Sequence, residues 1–81
     1  MEIKYAKRAI KTLNQLDKNT KQRIREGING IPLGDIKKLQ GHKDLLRLRI
    51  GDWRVVFSYP DNNTILIERI SPRGEIYKGG Y

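Results

Sequence analysis

The residues of this chain best suited to chemistry are three arginines set around a tight turn. Leu45 to Ile50 alternates apolar and basic residues and carries Arg47 and Arg49. Gly51-Asp52 then reverses the chain, and Arg54 follows in a second run, Trp53 to Tyr59. A two-residue loop with glycine first suits a type II′ hairpin. That register sets Ile50 opposite Trp53, Arg49 opposite Arg54, Leu48 opposite Val55 and Arg47 opposite Val56. Opposed residues share a face of the sheet. One face is then apolar (Ile50, Trp53, Leu48, Val55), and the other gathers Arg47, Arg49 and Arg54. Like charges set opposite one another are destabilising, so the arginine face is expected to meet negative charge, phosphate foremost. A guanidinium fork grips phosphate oxygens two at a time and keeps its charge at physiological pH. Several forks on one face would hold a nucleic-acid backbone and stabilise the extra charge of a pentacoordinate phosphorane. Arg73 and Tyr77 complete the candidate site, since a tyrosine can stack on an unpaired base or supply a hydroxyl. The plainer reading, solubilising arginines on an exposed sheet face, applies to each residue taken singly.

The elements that must position these side chains are legible in outline. Ile3 and Tyr5 alternate with charged neighbours, which predicts a short first strand over residues 2–5. Ala9, Ile10, Leu13 and Leu16 fall at helical spacing from Lys7 onward. Asp17-Lys18-Asn19 reads as a turn, with Asn19 or Thr20 capping a second helix. Its apolar stripe is Ile24, Ile28 and Ile31, and Gly30 and Pro32 end it. Gly27 inside that helix costs ~1 kcal/mol relative to alanine, so close packing on the sheet is its expected purpose. Residues 33–44 read as an ordered loop anchored by Leu39, and Pro60 to Asn63 as a turn. Thr64 to Ile70 reads as a strand with Ile65 and Ile67 on one face and Leu66 and Ile70 on the other, and Glu75-Ile76-Tyr77 as a last extended piece. The expected fold is α+β: an N-terminal strand and an antiparallel helical hairpin packed on a mainly antiparallel four-stranded sheet.

The chain has 81 residues, 17 Lys and Arg against 9 Asp and Glu, a net charge of +8 and no cysteine. Residues 1–81 are expected to form one small domain. A disulfide, a thiolate metal site and a cysteine nucleophile are excluded. The charge favours polyanions: nucleic acid, an anionic membrane or an acidic protein. No segment approaches the ~20 apolar residues that span a bilayer, so a cytoplasmic protein with no membrane partner is expected. His42 is the sole histidine, in a loop flanked by Gly41 and Lys43, which rules out a histidine acid/base pair. No carboxylate and histidine cluster has metal-ligand spacing, so neither a metal nor another cofactor is expected. Trp53 shares a face with Ile50 and belongs to the core. Lys7, Arg8 and Lys11, with Lys18, Lys21, Arg23 and Arg25, form a basic band on the helices.

Several segments resemble one family in order along the chain. Lys37-Lys38-Leu39-Gln40-Gly41, then Asp44 to Phe57 with its Arg47-Leu48-Arg49-Ile50-Gly51-Asp52-Trp53-Arg54 hairpin, resemble the core of the RelE/ParE toxin superfamily. The closing Pro72-Arg73-Gly74-Glu75-Ile76-Tyr77 and the opening Ala6 to Leu13 match it as well. The resemblance implies a toxin of a type II toxin–antitoxin pair. RelE-like members are endoribonucleases that enter the ribosomal A site and cut mRNA there, the 2′-hydroxyl attacking the adjacent phosphate and a 5′-hydroxyl leaving. Carried over by motif, the catalytic set is Arg47, Arg49, Arg54, Arg73 and Tyr77, and the RNA contacts are Lys37, Lys38, Arg47, Arg49 and Lys78. The implied partners are a cognate acidic antitoxin, the ribosome and mRNA.

Two departures bear on mechanism. The first two hairpin positions are lysine in the best-known member, where one is a candidate general base. An arginine side chain, with a pKa above ~12, binds phosphate but is a poor base. Glu75 or Tyr77 could carry the proton, or catalysis could rest on positioning and charge stabilisation with the ribosome's help. Proline also replaces the common histidine before Arg73. Two other functions compete: a ParE-like inhibitor of DNA gyrase without nuclease activity, and a basic RNA-binding protein. The presence of Arg73 and Tyr77 beside the hairpin favours the nuclease.

Overall fold

The computed structural model describes residues 1–72. The elements run β1 (Glu2–Tyr5), α1 (Lys7–Asn14), α2 (Lys18–Asn29), β2 (Asp35–Lys38), β3 (Leu46–Ile50), β4 (Trp53–Asp61) and β5 (Thr64–Pro72). They form a five-stranded sheet of order β1-β5-β4-β3-β2. The pairs β2–β3, β3–β4 and β4–β5 are antiparallel, and β1 joins β5 in parallel. The α+β class is the expected one. The added strand is β2, in a segment whose sequence reads as loop: its single apolar residue, Ile36, gives no alternation to detect, and its partner β3 supplies the ladder.

Both helices cover one face of the sheet. Ala9 and Leu13 of α1 and Ile24 and Ile28 of α2 are fully buried against Leu48, Val55, Phe57, Ile65, Ile67 and Ile70. Ile31 joins this core, and Trp53 packs at its margin, as its register with Ile50 requires. The second helix is capped by Asp17 rather than Asn19 or Thr20. Its Oδ2 accepts from the Thr20 N–H at 3.1 Å and its Oδ1 from the Thr20 hydroxyl at 2.6 Å. These bonds hold the Asp17 carboxyl below its ordinary pKa. Gly30 ends the helix as expected.

The core corrects the reading of β5. Ile65, Ile67 and Ile70 all face the helices, because a register shift between Val56↔Arg69 and Phe57↔Ile67 leaves Glu68 as an extra residue. A bulge of this kind turns a spacing of three into a common face. The strand β4 also runs on through Pro60 to Asp61 instead of breaking there. A second irregularity between Ser58 and Asp61 accommodates the proline, which has no N–H for the ladder. The turn is Asn62-Asn63, pinned by Asp61, whose carboxylate accepts from the Asn63 N–H at 2.8 Å and the Thr64 hydroxyl at 3.1 Å. No helix among the described residues is long and apolar enough to cross a membrane.

Candidate functional site

The hairpin has the register its turn demands: Ile50↔Trp53, Arg49↔Arg54, Leu48↔Val55 and Arg47↔Val56. Gly51 has φ +59° and no other turn residue has positive φ, as a II′ turn requires. Arg47, Arg49 and Arg54 therefore stand on the face away from the helices. Arg49 and Arg54 converge directly. Arg49 Nε and Arg54 Nη1 both donate long hydrogen bonds, 3.4 Å, to the carbonyl of Gly51, and Arg54 Nη1 also donates to the Trp53 carbonyl at 3.2 Å.

Depth separates the three. Arg49 is exposed, whereas Arg47 is 8% and Arg54 6% accessible. The solubilising reading thus fails for two of them. A buried guanidinium is costly unless it is paired and hydrogen-bonded. Among the described residues Arg47 has one anionic partner, Asp35 of β2, at 3.7 Å. Arg54 has no carboxylate within 4.0 Å among the described residues, only backbone carbonyls, and its buried Nε has no partner there. The buried hydroxyl of Ser71, opposite Arg54 in the β4–β5 register, is likewise unpartnered. Val56, two residues beyond Arg54 on β4 and opposite Arg47, is covered by Leu39 and Leu45. The loop after β2 thus folds onto this face with the expected Leu39 anchor, closed by Leu39 N–H to Leu45 O at 3.0 Å.

The β2 strand brings Lys37 opposite Arg47, on the arginine face, and Lys38 opposite Leu46, on the other. Lys38 instead lines a cleft with Lys43, Asp44, Leu46 and Tyr59. Of the expected RNA contacts, Lys37, Arg47 and Arg49 are therefore brought together and Lys38 is set apart. Arg73, Tyr77 and Lys78 lie outside the described residues. The sequence reading missed Arg69, which pairs with Val56 in register at the end of β5 that β1 leaves uncovered. It also lines an open cleft of about 390 Å³ with Arg8, Trp53 and Ser71. The spacing of Ile67 and Ile70 was the available signal, because it implies the bulge that sets Arg69 on this side. His42 sits in the 39–45 turn, away from the hairpin tip.

Among the described residues the face gathers fixed positive charge with less neutralisation than its depth calls for, an arrangement that can hold a phosphodiester and stabilise charge developing on it. Comparison with known proteins bears on which one. The family model of the ParE toxin of type II toxin–antitoxin systems, parDE, matches residues 3–77. The toxin RelE3 of Methanocaldococcus jannaschii is 28% identical over 86 residues, covering 95% of this chain and 96% of its own length. Among solved structures, the RelB–RelE antitoxin–toxin complex from Methanococcus jannaschii superposes with a TM-score of 0.72 at 27% identity, covering 91% of this chain and 94% of that one. The archaeal RelE–RelB complex from Pyrococcus horikoshii OT3 gives 0.68 at 32% identity, covering 91% and 96%.

Proposed function

This chain belongs to the RelE/ParE superfamily of toxins from type II toxin–antitoxin systems, and on that premise we propose that it is a metal-independent endoribonuclease that cuts mRNA in the ribosomal A site. The observation that carries this reading is the arginine face: three guanidinium groups on one hairpin face, one of them buried without a carboxylate partner among the described residues. In the proposed reaction the 2′-hydroxyl attacks the adjacent phosphorus, the bond to the 5′-oxygen breaks, and that oxygen leaves as a hydroxyl. Arg47 and Arg54 hold the phosphodiester from below, and Arg49 closes on it from the exposed side. Their charges stabilise the phosphorane more than the ground state, which is the condition for rate acceleration. Arg73 and Tyr77 are the proposed partners of this set, with Tyr77 stacking on the base or moving a proton. The ribosome supplies the strand in a fixed pose. Lys37 and Lys78 are proposed as further phosphate contacts.

An acidic antitoxin is the proposed partner in the cell, since the solved relatives are toxins bound to RelB and a net charge of +8 suits an acidic chain. The test is in vitro translation with wild type, Arg54→Ala and Tyr77→Phe, followed by primer extension on the mRNA. Cuts confined to A-site codons, and lost in the variants, are expected. The matching family model bears the ParE name, so gyrase supercoiling is measured alongside. Loss of supercoiling with intact mRNA would replace the nuclease reading with gyrase inhibition, and binding of RNA with neither effect would leave a plain RNA-binding protein.

A further inference from the structure

The basic band on α2 gains a specific meaning from how that helix meets the hairpin. Arg23 and Gly27 are four residues apart and so share a helix face. Gly27 lies directly on the end of β3: a β-carbon there would come within 2.5 Å of Ile50 Cδ1 and 2.9 Å of Cγ1. One turn earlier on the same face, Arg23 reaches past Ile50 onto the turn itself. A β-carbon built on Gly51 would sit 2.8 Å from Arg23 Nη2. Gly51 is required for its φ of +59°, and the Arg23 guanidinium lies against it. On its carbonyl side the same residue takes Arg49 and Arg54.

Three guanidinium groups, from α2, β3 and β4, therefore meet at one glycine. None of them has a carboxylate within 4.0 Å among the described residues. Arg23 and Arg49 are exposed, and Arg54 keeps a buried Nε without a partner there. Such crowding of like charge is relieved by an anion. The tip is also where the sheet ends, so a strand lying on the arginine face can pass round it towards the helices.

We propose that the hairpin tip is a second phosphate subsite, in which Arg23, together with Arg49 and Arg54, holds the phosphodiester next to the one being cut. The RNA strand then turns round Gly51-Asp52 from the arginine face towards α2. Arg23 is a binding residue here, with no part in the bond-breaking step. This assignment rests on the reading of the arginine face as the RNA site. Continuity with that face, and the match of guanidinium forks to phosphate, favour RNA over an acidic protein segment.

The test uses the full chain, a short 2′-O-methyl RNA that lacks the attacking hydroxyl, and binding measured across a salt series. Arg23→Gln keeps the side-chain stem on the turn and removes the charge. Arg25→Gln removes the same charge from the part of α2 that faces Tyr5. Loss of one phosphate contact to a single strand lowers the slope of log affinity against log salt by ~0.7, which is about fivefold in affinity near 0.1 M salt. Arg23→Gln is expected to show this loss with an unchanged melting midpoint, and Arg25→Gln less than half of it. Equal effects of the two variants, or an unchanged slope in Arg23→Gln, would overturn the subsite. So would an unchanged RNA slope accompanied by weaker binding of a polyglutamate peptide, which would assign the tip to a protein. Arg49→Gln separates the two levels of the argument. If it weakens RNA binding while Arg23→Gln does not, the subsite falls and the arginine face stands. If wild type and Arg49→Gln bind alike, the arginine-face reading fails and takes the subsite with it.

Discussion

The two faces of this sheet are made by alternate residues of the same strands, yet burial does opposite things on them. On the helix side, Leu48, Val55, Phe57, Ile67 and Ile70 are shut from water among Ala9, Leu13, Ile24 and Ile28. Removing that apolar area from water favours folding, by about 25 cal/mol per Å². Immediately before Leu48 and Val55 in the same strands, Arg47 and Arg54 are nearly as deep. Taking a guanidinium out of water opposes folding unless its partners restore what hydration gave, and here they restore it in part. Among the described residues Arg47 shares one carboxylate at 3.7 Å, and Arg54 meets carbonyls alone. Depth by itself therefore does not mark a core. A deep residue whose polar atoms lack partners among the described residues needs its own explanation, and under the proposed function that explanation is a bound phosphate.

The contrast breaks most sharply under exchange of one large residue on each face. Phe57→Ala is expected to lower stability by ~3–5 kcal/mol, read from urea unfolding. Against a typical total of ~5–15 kcal/mol, that leaves a marginal fold. A shift below ~1 kcal/mol would mean that Phe57 does not sit in a packed core. Arg54→Met fills similar space without the charge. Its stability should be unchanged or higher, since replacing incompletely compensated buried charge by apolar groups is often neutral or stabilising. Under the proposed function, A-site cleavage should fall by ~10²–10³, the usual consequence of losing one preorganised group that stabilises transition-state charge. A variant that loses stability and keeps cleavage would invert the roles assigned to the two faces.

What the sequence made legible follows the same division. The hairpin register was readable in full, because a two-residue loop beginning with glycine leaves one pairing, and the alternation around it then assigns every side chain to a face. Close packing of Gly27 on the sheet and Leu39 as an anchor were readable for a similar reason, each being the odd residue in its context, whereas Ile50 as the contact of Gly27 was not. The β2 strand was not, since Asp35-Ile36-Lys37-Lys38 is an edge whose pairing comes from β3 and whose composition is that of a loop. The bulge at Glu68 was hidden in an assumed strict alternation, and with it the position of Arg69. The Asp17 cap lay two or three residues before the expected Asn19 or Thr20. The depth of Arg47 and Arg54 was beyond any pattern, because it depends on what the rest of the chain lays over that face. Nor could spacing alone reveal Arg23 at the tip, which needs the crossing of α2 over β3.

Smaller changes sharpen the picture of the arginine face. Asp35 is the one carboxylate in ion-pair reach of it among the described residues, with its side chain 48% exposed. Asp35→Asn is expected to cost at most ~1 kcal/mol, because water screens a half-exposed pair. RNA affinity should rise, as the face then presents its full positive charge. Reduced RNA affinity would show Asp35 positioning Arg47 rather than competing with the substrate. Acid probes regions remote from this face. Hydrogen bonds from Thr20 hold the Asp17 carboxyl below its ordinary 3.8, and the Asn63 N–H, followed by the Thr64 hydroxyl, does the same for Asp61. A lowered folded value means that the contribution is complete above pH 3.8 and is lost as pH falls through the folded value. The melting midpoint of wild type should accordingly drop in that acid window more steeply than that of Asp17→Asn.

The smallest expected effect is also the most diagnostic. Ser71 is 2% accessible and its hydroxyl has no partner among the described residues. Removing a buried hydroxyl that makes no hydrogen bond forfeits nothing and lifts a desolvation penalty. Ser71→Ala should leave the free protein's stability within ~0.5 kcal/mol of wild type, or raise it. Were the same hydroxyl part of the core's packing, the substitution would be felt as cavities on the helix side are. If Ser71 and the Arg54 Nε opposite it are incomplete because they wait on a ligand, the substitution acts only when RNA is present: unfolding of the free chain stays put, while the stabilisation conferred by bound RNA shrinks. A loss above ~1 kcal/mol without RNA would show that the hydroxyl is satisfied in the free protein, and the distinction drawn between the two faces would not extend to the end of β5.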